Sequence, residues 1–273
     1  MNNSKIEWCD MTWNPVTGCL HSCRETYCYA AGIAKRFGKC KGAAHKFDEI
    51  FAEPFGEAAP GNIHELERPV VFNGKIDPYP YGFDPTFHRY RLDEPARKPK
   101  PQMIFVVSMG DLFGDWIPNE WIKAVFDACE AAPQHVYMFL SKNPARMLKL
   151  AESGLFPTGN NYWYGSTITS AEEKFFYHNE INTFISIEPI LSDFGEAGIF
   201  SLMNINWVIV GAETGGRKEK VIPEKQWIQN LVNVCESFRI PIFLKNNLTN
   251  IWGEPLIQEY PWESKDDEEE KIK

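Results

Sequence analysis

Short apolar runs that break off in polar residues recur along the chain. TWNPVTGC ends in a cysteine-bearing loop, and RPVVFNGK ends at Asn73. MIFVVSMGD ends at Ser108 and Asp111, HVYMFLSK at Ser141 and Lys142, and YWYGSTI at Ser166 and Thr167. TFISIEP ends at Glu188, WVIVGAETGG at Glu213, and IPIFLKNN at Lys245. Several of these runs are continuously apolar, as strands buried on both faces of a parallel sheet must be.

Helical patterns separate most of the runs. Tyr29 to Phe37 predicts a helix stopped by Gly38. Over 119–131, Ile122, Val125, Phe126 and Cys129 share one face. Asn143 suits a cap, Pro144 the first helical position and Gly154 the end of the next helix. Ser170 with Glu173 reads as a capping box ahead of another. Over 223–238, Trp227, Leu231, Val234 and Phe238 recur at helical spacing.

Eight strand candidates with interposed helices predict an α/β fold, a (βα) barrel of TIM type, full or partial. A doubly wound open sheet is the alternative. A long irregular insertion is expected after the first helix, over 42–68, and a proline- and aromatic-rich crossover over 77–102. One domain is expected over 1–262, with the cysteine loop at 17–29, followed by an acidic disordered tail over 263–273. Both architectures bind ligands at the C-terminal ends of their strands. The polar residues that close the apolar runs would converge there. Glu188, Glu213 and Lys245 are therefore candidate catalytic groups, and Asn73, Ser108, Ser141 and Ser166 candidate cofactor contacts.

Composition narrows the setting. With 273 residues, 44% apolar and 14% aromatic, the chain supports a sizeable core. It holds no apolar stretch long enough for a membrane span, and MNNSKIEWCD has no signal-peptide run, so a cytoplasmic protein is expected. The net charge of −9 argues against wholesale binding of duplex nucleic acid, which wants a basic face. Lys35, Arg36, Lys39 and Lys41 form a local basic cluster that a solvated helix end explains equally well.

The chemistry concentrates in TGCLHSCRETYCYA, where Cys19, Cys23 and Cys28 follow the first strand with the spacing C-x3-C-x4-C. In a reducing compartment such a cluster points to metal or redox chemistry rather than disulfides. Three thiolates can hold an iron–sulfur cluster with one iron left open. A zinc site would need a fourth ligand, from His21, Cys9 or Cys40. Packing is the third reading, as it is for Cys129 and Cys235 on apolar helix faces. Trp8 and Trp13 flank the cluster strand and could shield it. A zinc-stabilised hydrolase using Glu188, Glu213 and Asp111 as acid–base groups, or a non-catalytic adaptor that docks a partner, are the competing functions.

The loop ending in Cys28-Tyr29-Ala30 resembles a lengthened form of the C-x3-C-x2-C loop of radical S-adenosylmethionine (SAM) enzymes. IEWCDMTWNPVTGC, RLDEP, FVVSMGDLF, APQHVYMFLSKNPARM, YGSTIT, ISIEPIL, WVIVGAETGG and IPIFLKN carry the likeness over most of the chain. Together they resemble the phage-associated, radical-SAM-like family of unknown function whose gene neighbours a three-Cys-motif partner protein. The resemblance implies a 4Fe–4S cluster on Cys19, Cys23 and Cys28. It implies SAM on the open iron, cleaved by one electron from an external reductant to a 5′-deoxyadenosyl radical that abstracts hydrogen. The substrate it suggests is a nucleotide or nucleic acid. It places Tyr27 near the adenine and Ser141 toward the ribose. Lys142 would meet a carboxylate and Glu213 the substrate or SAM. The sequence departs from the superfamily at the second strand, where FNGK stands in place of Gly-Gly-Glu.

Overall fold

The structure is a computed structural model, and it describes residues 1–26, 28–38, 63–195, 202, 204–214 and 218–263. Tyr27, Cys40, most of the expected insertion and nearly all of the acidic tail lie outside the described residues. The domain expected over 1–262 is organised as two compact units, Met1–Pro157 and Thr158–Lys273.

In the first unit the strands are β1 (Asn2–Asn3), β2 (Met11–Trp13), β3 (Val16–Thr17), β4 (His64–Leu66), β5 (Val71–Phe72), β6 (Lys75–Ile76), β7 (Thr86–His88), β8 (Met103–Val106) and β9 (Val136–Ser141). Its helices are α1 (Tyr29–Phe37), α2 (Asn119–Glu130) and α3 (Pro144–Glu152). Strands β2, β8 and β9 run parallel side by side, with Trp13 opposite Val106 and Val106 opposite Phe139. Strand β1 lies antiparallel on the outer edge of β2. A small sheet of β3, β7 and β4 stands apart, with Thr17 opposite Thr86. The core behind the parallel strands is aromatic: Phe113, Phe126, Phe139 and Phe156 pack edge to face or tilted, with ring centroids 5.1–6.4 Å apart. Trp8 and Trp13 belong to this buried interior, Trp8 against Phe105 and Trp13 with its indole N–H donating to the Arg91 carbonyl at 2.9 Å.

The second unit holds β10 (Tyr162–Ile168), β11 (Asn182–Ile187), β12 (Trp207–Val210) and β13 (Ile242–Leu244), all parallel and in sequence order. Helix α4 (Lys225–Phe238) joins the last two strands, and the short α5 (Thr249–Trp252) follows. Ile185, Ile187, Val208, Val210, Ile228 and Leu231 make its apolar core. The returning chain covers the outer edge of β13: Leu244 N–H donates to Ile257 at 2.7 Å and Glu259 N–H to Ile242 at 3.0 Å. Covered edges remove the unpaired amides that invite aggregation.

The helices follow their sequence signals. Asn143 caps α3 by accepting from Arg146 N–H at 3.3 Å, and Pro144 occupies its first turn. Two expectations change. RPVVFNGK is not a strand of the parallel sheet but the antiparallel hairpin β5–β6, with Val71 and Ile76 more than half exposed. Asn73 and Gly74 both have positive φ, 49° and 72°, and form the Asn-Gly turn that folds such a hairpin. Ser170 and Glu173 do not start a helix. The Glu173 carboxylate instead accepts from Thr169 N–H and Oγ1, and the chain then extends to bury Phe176.

Candidate functional site

The polar strand ends gather into one cluster in each unit. In the first, the cysteine loop leaves β3 through Gly18, whose φ is +86° and whose position has no room for a side chain: a Cβ there would lie 2.2 Å from the Asp84 carbonyl oxygen. Gly18 N–H donates to Met109 at 2.8 Å and Cys19 N–H to Phe83 at 3.1 Å, which fixes the start of the loop. A 3-10 turn, Ser22–Glu25, carries Cys23. Cys28 then stands at the N-cap of α1, its N–H bonded to the Cys23 carbonyl at 3.2 Å. The Tyr29 hydroxyl donates to the Ser108 carbonyl at 2.6 Å and pins the first turn of α1 to the end of β8.

The three thiols are free and sense one another. Cys23 donates its thiol hydrogen to Cys28. That bond pulls Cys28 down to about 6; the amides of Ala30 and Ala31 and the charge of Lys142 favour the same thiolate, against burial. Cys23 is pushed up in return, by the bond to Cys28 first and by burial second. Burial pushes Cys19 up to about 12, with the charges of Asp111 and Cys28 acting in the same direction. Among the described residues no group of three or more His, Cys, Asp or Glu is drawn together as a metal site. In kind and number the donors fit an iron–sulfur group: three free thiols on one loop, beside a helix N-terminus and a lysine that offset thiolate charge.

Asp111 is the hub beside this loop. It is buried, and its Oδ2 accepts from His21 Nε2 at 2.8 Å, Ser141 Oγ at 3.0 Å and Lys142 N–H at 3.0 Å. Its Oδ1 accepts from Phe113 N–H at 2.9 Å. Ser141 is thus a partner of Asp111, and Ser108 Oγ donates to the Asn14 side chain at 3.2 Å. Asn14 also accepts from Met109 N–H at 2.8 Å. Between β8 and Ser108, Val107 takes a φ of 59°, a left-handed conformation that a β-branched residue rarely adopts. His21 spends its Nε2 on Asp111, and the Cys9 thiol contacts Ser4 Oγ at 3.2 Å.

In the second unit Glu188, at the end of β11, forms an ion pair with Lys245, at the end of β13. They meet over Gly211, which follows β12; a Cβ there would lie 3.0 Å from Lys245 Cδ and 3.4 Å from Glu188 Cδ. Lys245 is only 9% exposed. Asn247 grips the next peptide at both ends, accepting from Ala212 N–H at 3.0 Å and donating to its carbonyl at 2.9 Å. Glu213 follows directly and accepts from Val221 N–H at 3.4 Å. Ser166 stands apart from this pair in role: it is fully buried, and its hydroxyl oxygen accepts from Phe176 N–H at 2.8 Å. Asn73 sits in the exposed β5–β6 turn.

A family model described as "Protein of unknown function (DUF5131)" matches residues 3–260. The chain belongs to this family. No significant match was found among curated proteins or solved structures. The matched span of this DUF5131 member takes in both clusters: the cysteine loop with Asp111, and Glu188 with Lys245.

Sequence reasoning missed the organising part of Asp111 and the strain at Val107. The fragment SMGDLF held the one available signal, an acidic residue directly after a buried strand.

Proposed function

We propose that this protein is a radical SAM enzyme whose 4Fe–4S cluster is held by Cys19, Cys23 and Cys28. The observation that carries the reading is three free thiols, Cys19, Cys23 and Cys28, near enough to perturb one another, on the single loop that runs from β3 to the start of α1. Such a cluster with SAM would supply one-electron cleavage of the sulfonium and a 5′-deoxyadenosyl radical for hydrogen abstraction. The chain's own residues do the rest. Cys28 is held ready as a thiolate by Cys23, the α1 amides and Lys142. Tyr29 locks the loop's exit to Ser108. Glu188 and Lys245 offer a paired carboxylate and ammonium for orienting a polar substrate, and Glu213, which follows β12, adds a further carboxylate to the reading. A β/α barrel, full or partial, belongs to this reading.

The substrate we infer is a nucleotide or nucleic acid, reached with a local rather than a global charge, given the net charge of −9. An external one-electron reductant, a three-Cys-motif partner protein and a cytoplasmic setting complete the proposal. Among the described residues no helix is long and apolar enough to cross a membrane.

Anaerobic reconstitution followed by ultraviolet–visible and low-temperature EPR spectra tests the reading. We expect about four irons per chain and an EPR signal that shifts on adding SAM. The Cys19→Ala, Cys23→Ala and Cys28→Ala variants should each lose that signal, while Cys129→Ala should only lower stability. A colourless protein with a tightly held zinc, or a full cluster in Cys23→Ala, would overturn it.

A further inference from the structure

The buried carboxylate of Asp111 has more partners than a strand tie requires. Three of them are rigid: Phe113 N–H just beyond β8, and Ser141 Oγ and Lys142 N–H at the end of β9. The fourth is His21, which lies in the cysteine loop midway between Cys19 and Cys23. A carboxylate that is 4% exposed cannot turn to water, so its bonds set its position, and it sets that of whatever it holds. Trp116 stands edge-on to the His21 ring, with centroids 5.0 Å apart and planes at 78°, and limits the swing of the imidazole. The His21 N–H reaches back to Cys19 Sγ at 3.5 Å. The loop is therefore anchored at its entry by Gly18 and Cys19, at its exit by Tyr29, and in its middle through His21.

We propose that Asp111 is a positioning residue of the cysteine loop, acting through His21 to hold Cys19 and Cys23 in fixed relation to the ends of β8 and β9. The role builds on the reading of Cys19, Cys23 and Cys28 as one ligand set, and it has a readout that needs no cluster. It is the arrangement metal sites use to orient their ligands from one layer out, where losing the outer partner weakens binding about 10–100-fold.

The test uses reduced, metal-free full-length protein and four variants: His21→Ala, His21→Gln, Asp111→Asn, and the His21→Ala/Asp111→Asn double. Deuterium uptake is followed over 18–28, and iodoacetamide labelling of Cys19 and Cys23 by mass spectrometry. His21→Ala should raise both, with the melting temperature close to that of the wild type. Asp111→Asn should raise both and also lower the melting temperature, because it loosens β8 and β9. In the double variant, loop uptake should rise no further than in His21→Ala. His21→Gln, which can still donate to Asp111, should fall back toward wild type. In reconstituted protein, His21→Ala should lose iron to a chelator about tenfold faster or more. Wild-type loop uptake and labelling in His21→Ala would overturn the proposal, whatever Asp111→Asn does to stability. If the wild type takes up no cluster yet the loop effects appear, the ligand reading fails and the positioning role stands. If the wild type takes up a cluster and His21→Ala holds its iron and loop unchanged, the positioning role fails and the ligand reading stands.

Discussion

At the scale of single residues, the thiol pair makes the sharpest prediction. Cys28 is held at about 6 mainly because Cys23 donates a hydrogen bond to it, so removing the donor must let the value rise. In reduced, metal-free protein at pH 7, iodoacetamide should label Cys28 ahead of Cys19, whose thiol is pushed up to about 12 by burial. In Cys23→Ala, the midpoint of the labelling rate of Cys28 against pH should move upward; an unmoved midpoint would deny the bond its role. The cysteines were legible because their spacing is local. The anchoring part of Asp111 was not, because the partner that defines it, His21, lies 90 residues earlier in the chain. Ser166 shows the opposite failure. A serine closing a buried strand reads as a ligand contact, yet here it serves the backbone N–H of Phe176.

At the scale of elements, two glycines divide cleanly. Gly18 has positive φ and no space for a methyl group, so Gly18→Ala should cost about 3 kcal/mol and release the cysteine loop. Gly32, in α1, has nothing within 4 Å of its missing Cβ, so Gly32→Ala should stabilise by about 0.5–1 kcal/mol. Thermal unfolding of both variants checks the pair. The Glu188–Lys245 ion pair ties the ends of β11 and β13 across Gly211. Lys245→Met should destabilise more than Glu188→Gln, because it strands a half-buried carboxylate beside apolar atoms, and the double variant should recover part of the loss in a double-mutant cycle. The parallel strands were readable because burial on both faces writes an unbroken apolar run. RPVVFNGK carries such a run too, and only its Asn-Gly pair distinguishes the exposed hairpin it forms.

At the scale of the whole molecule, stability should depend on pH through His88. Its ring is buried between Thr17 Oγ1, 2.9 Å from Nε2, and Tyr90 OH, 3.2 Å from Nδ1. Burial lowers it to about 2, with the Arg91 charge adding to the effect. The folded protein keeps this histidine neutral while the unfolded chain protonates it below about 6.5, so stability is full above that pH and falls as acid is added toward 2, by up to about 1.4 kcal/mol per pH unit. Urea midpoints at pH 7 and pH 5 should separate for the wild type and draw together for His88→Asn. The α/β class was legible from the alternation of runs and helical patterns, because that alternation is periodic. The division into two compact units was not, since the turn-rich stretch SGLFPTGNN around residue 157 reads like any other loop between a helix and the next strand.

The tether from His21 to Asp111 also bears on descent. It falls inside the first gap of C-x3-C-x4-C, so inserting or deleting a residue between Cys19 and Cys23 would pull the imidazole off its carboxylate. Under the function proposed above, the first gap keeps the length of the radical SAM loop and the second is the longer one. Drift in loop length should therefore accumulate after Cys23. Sequences across the family should keep a residue able to bond the aspartate wherever three residues separate the first two cysteines, and lose both together where they do not.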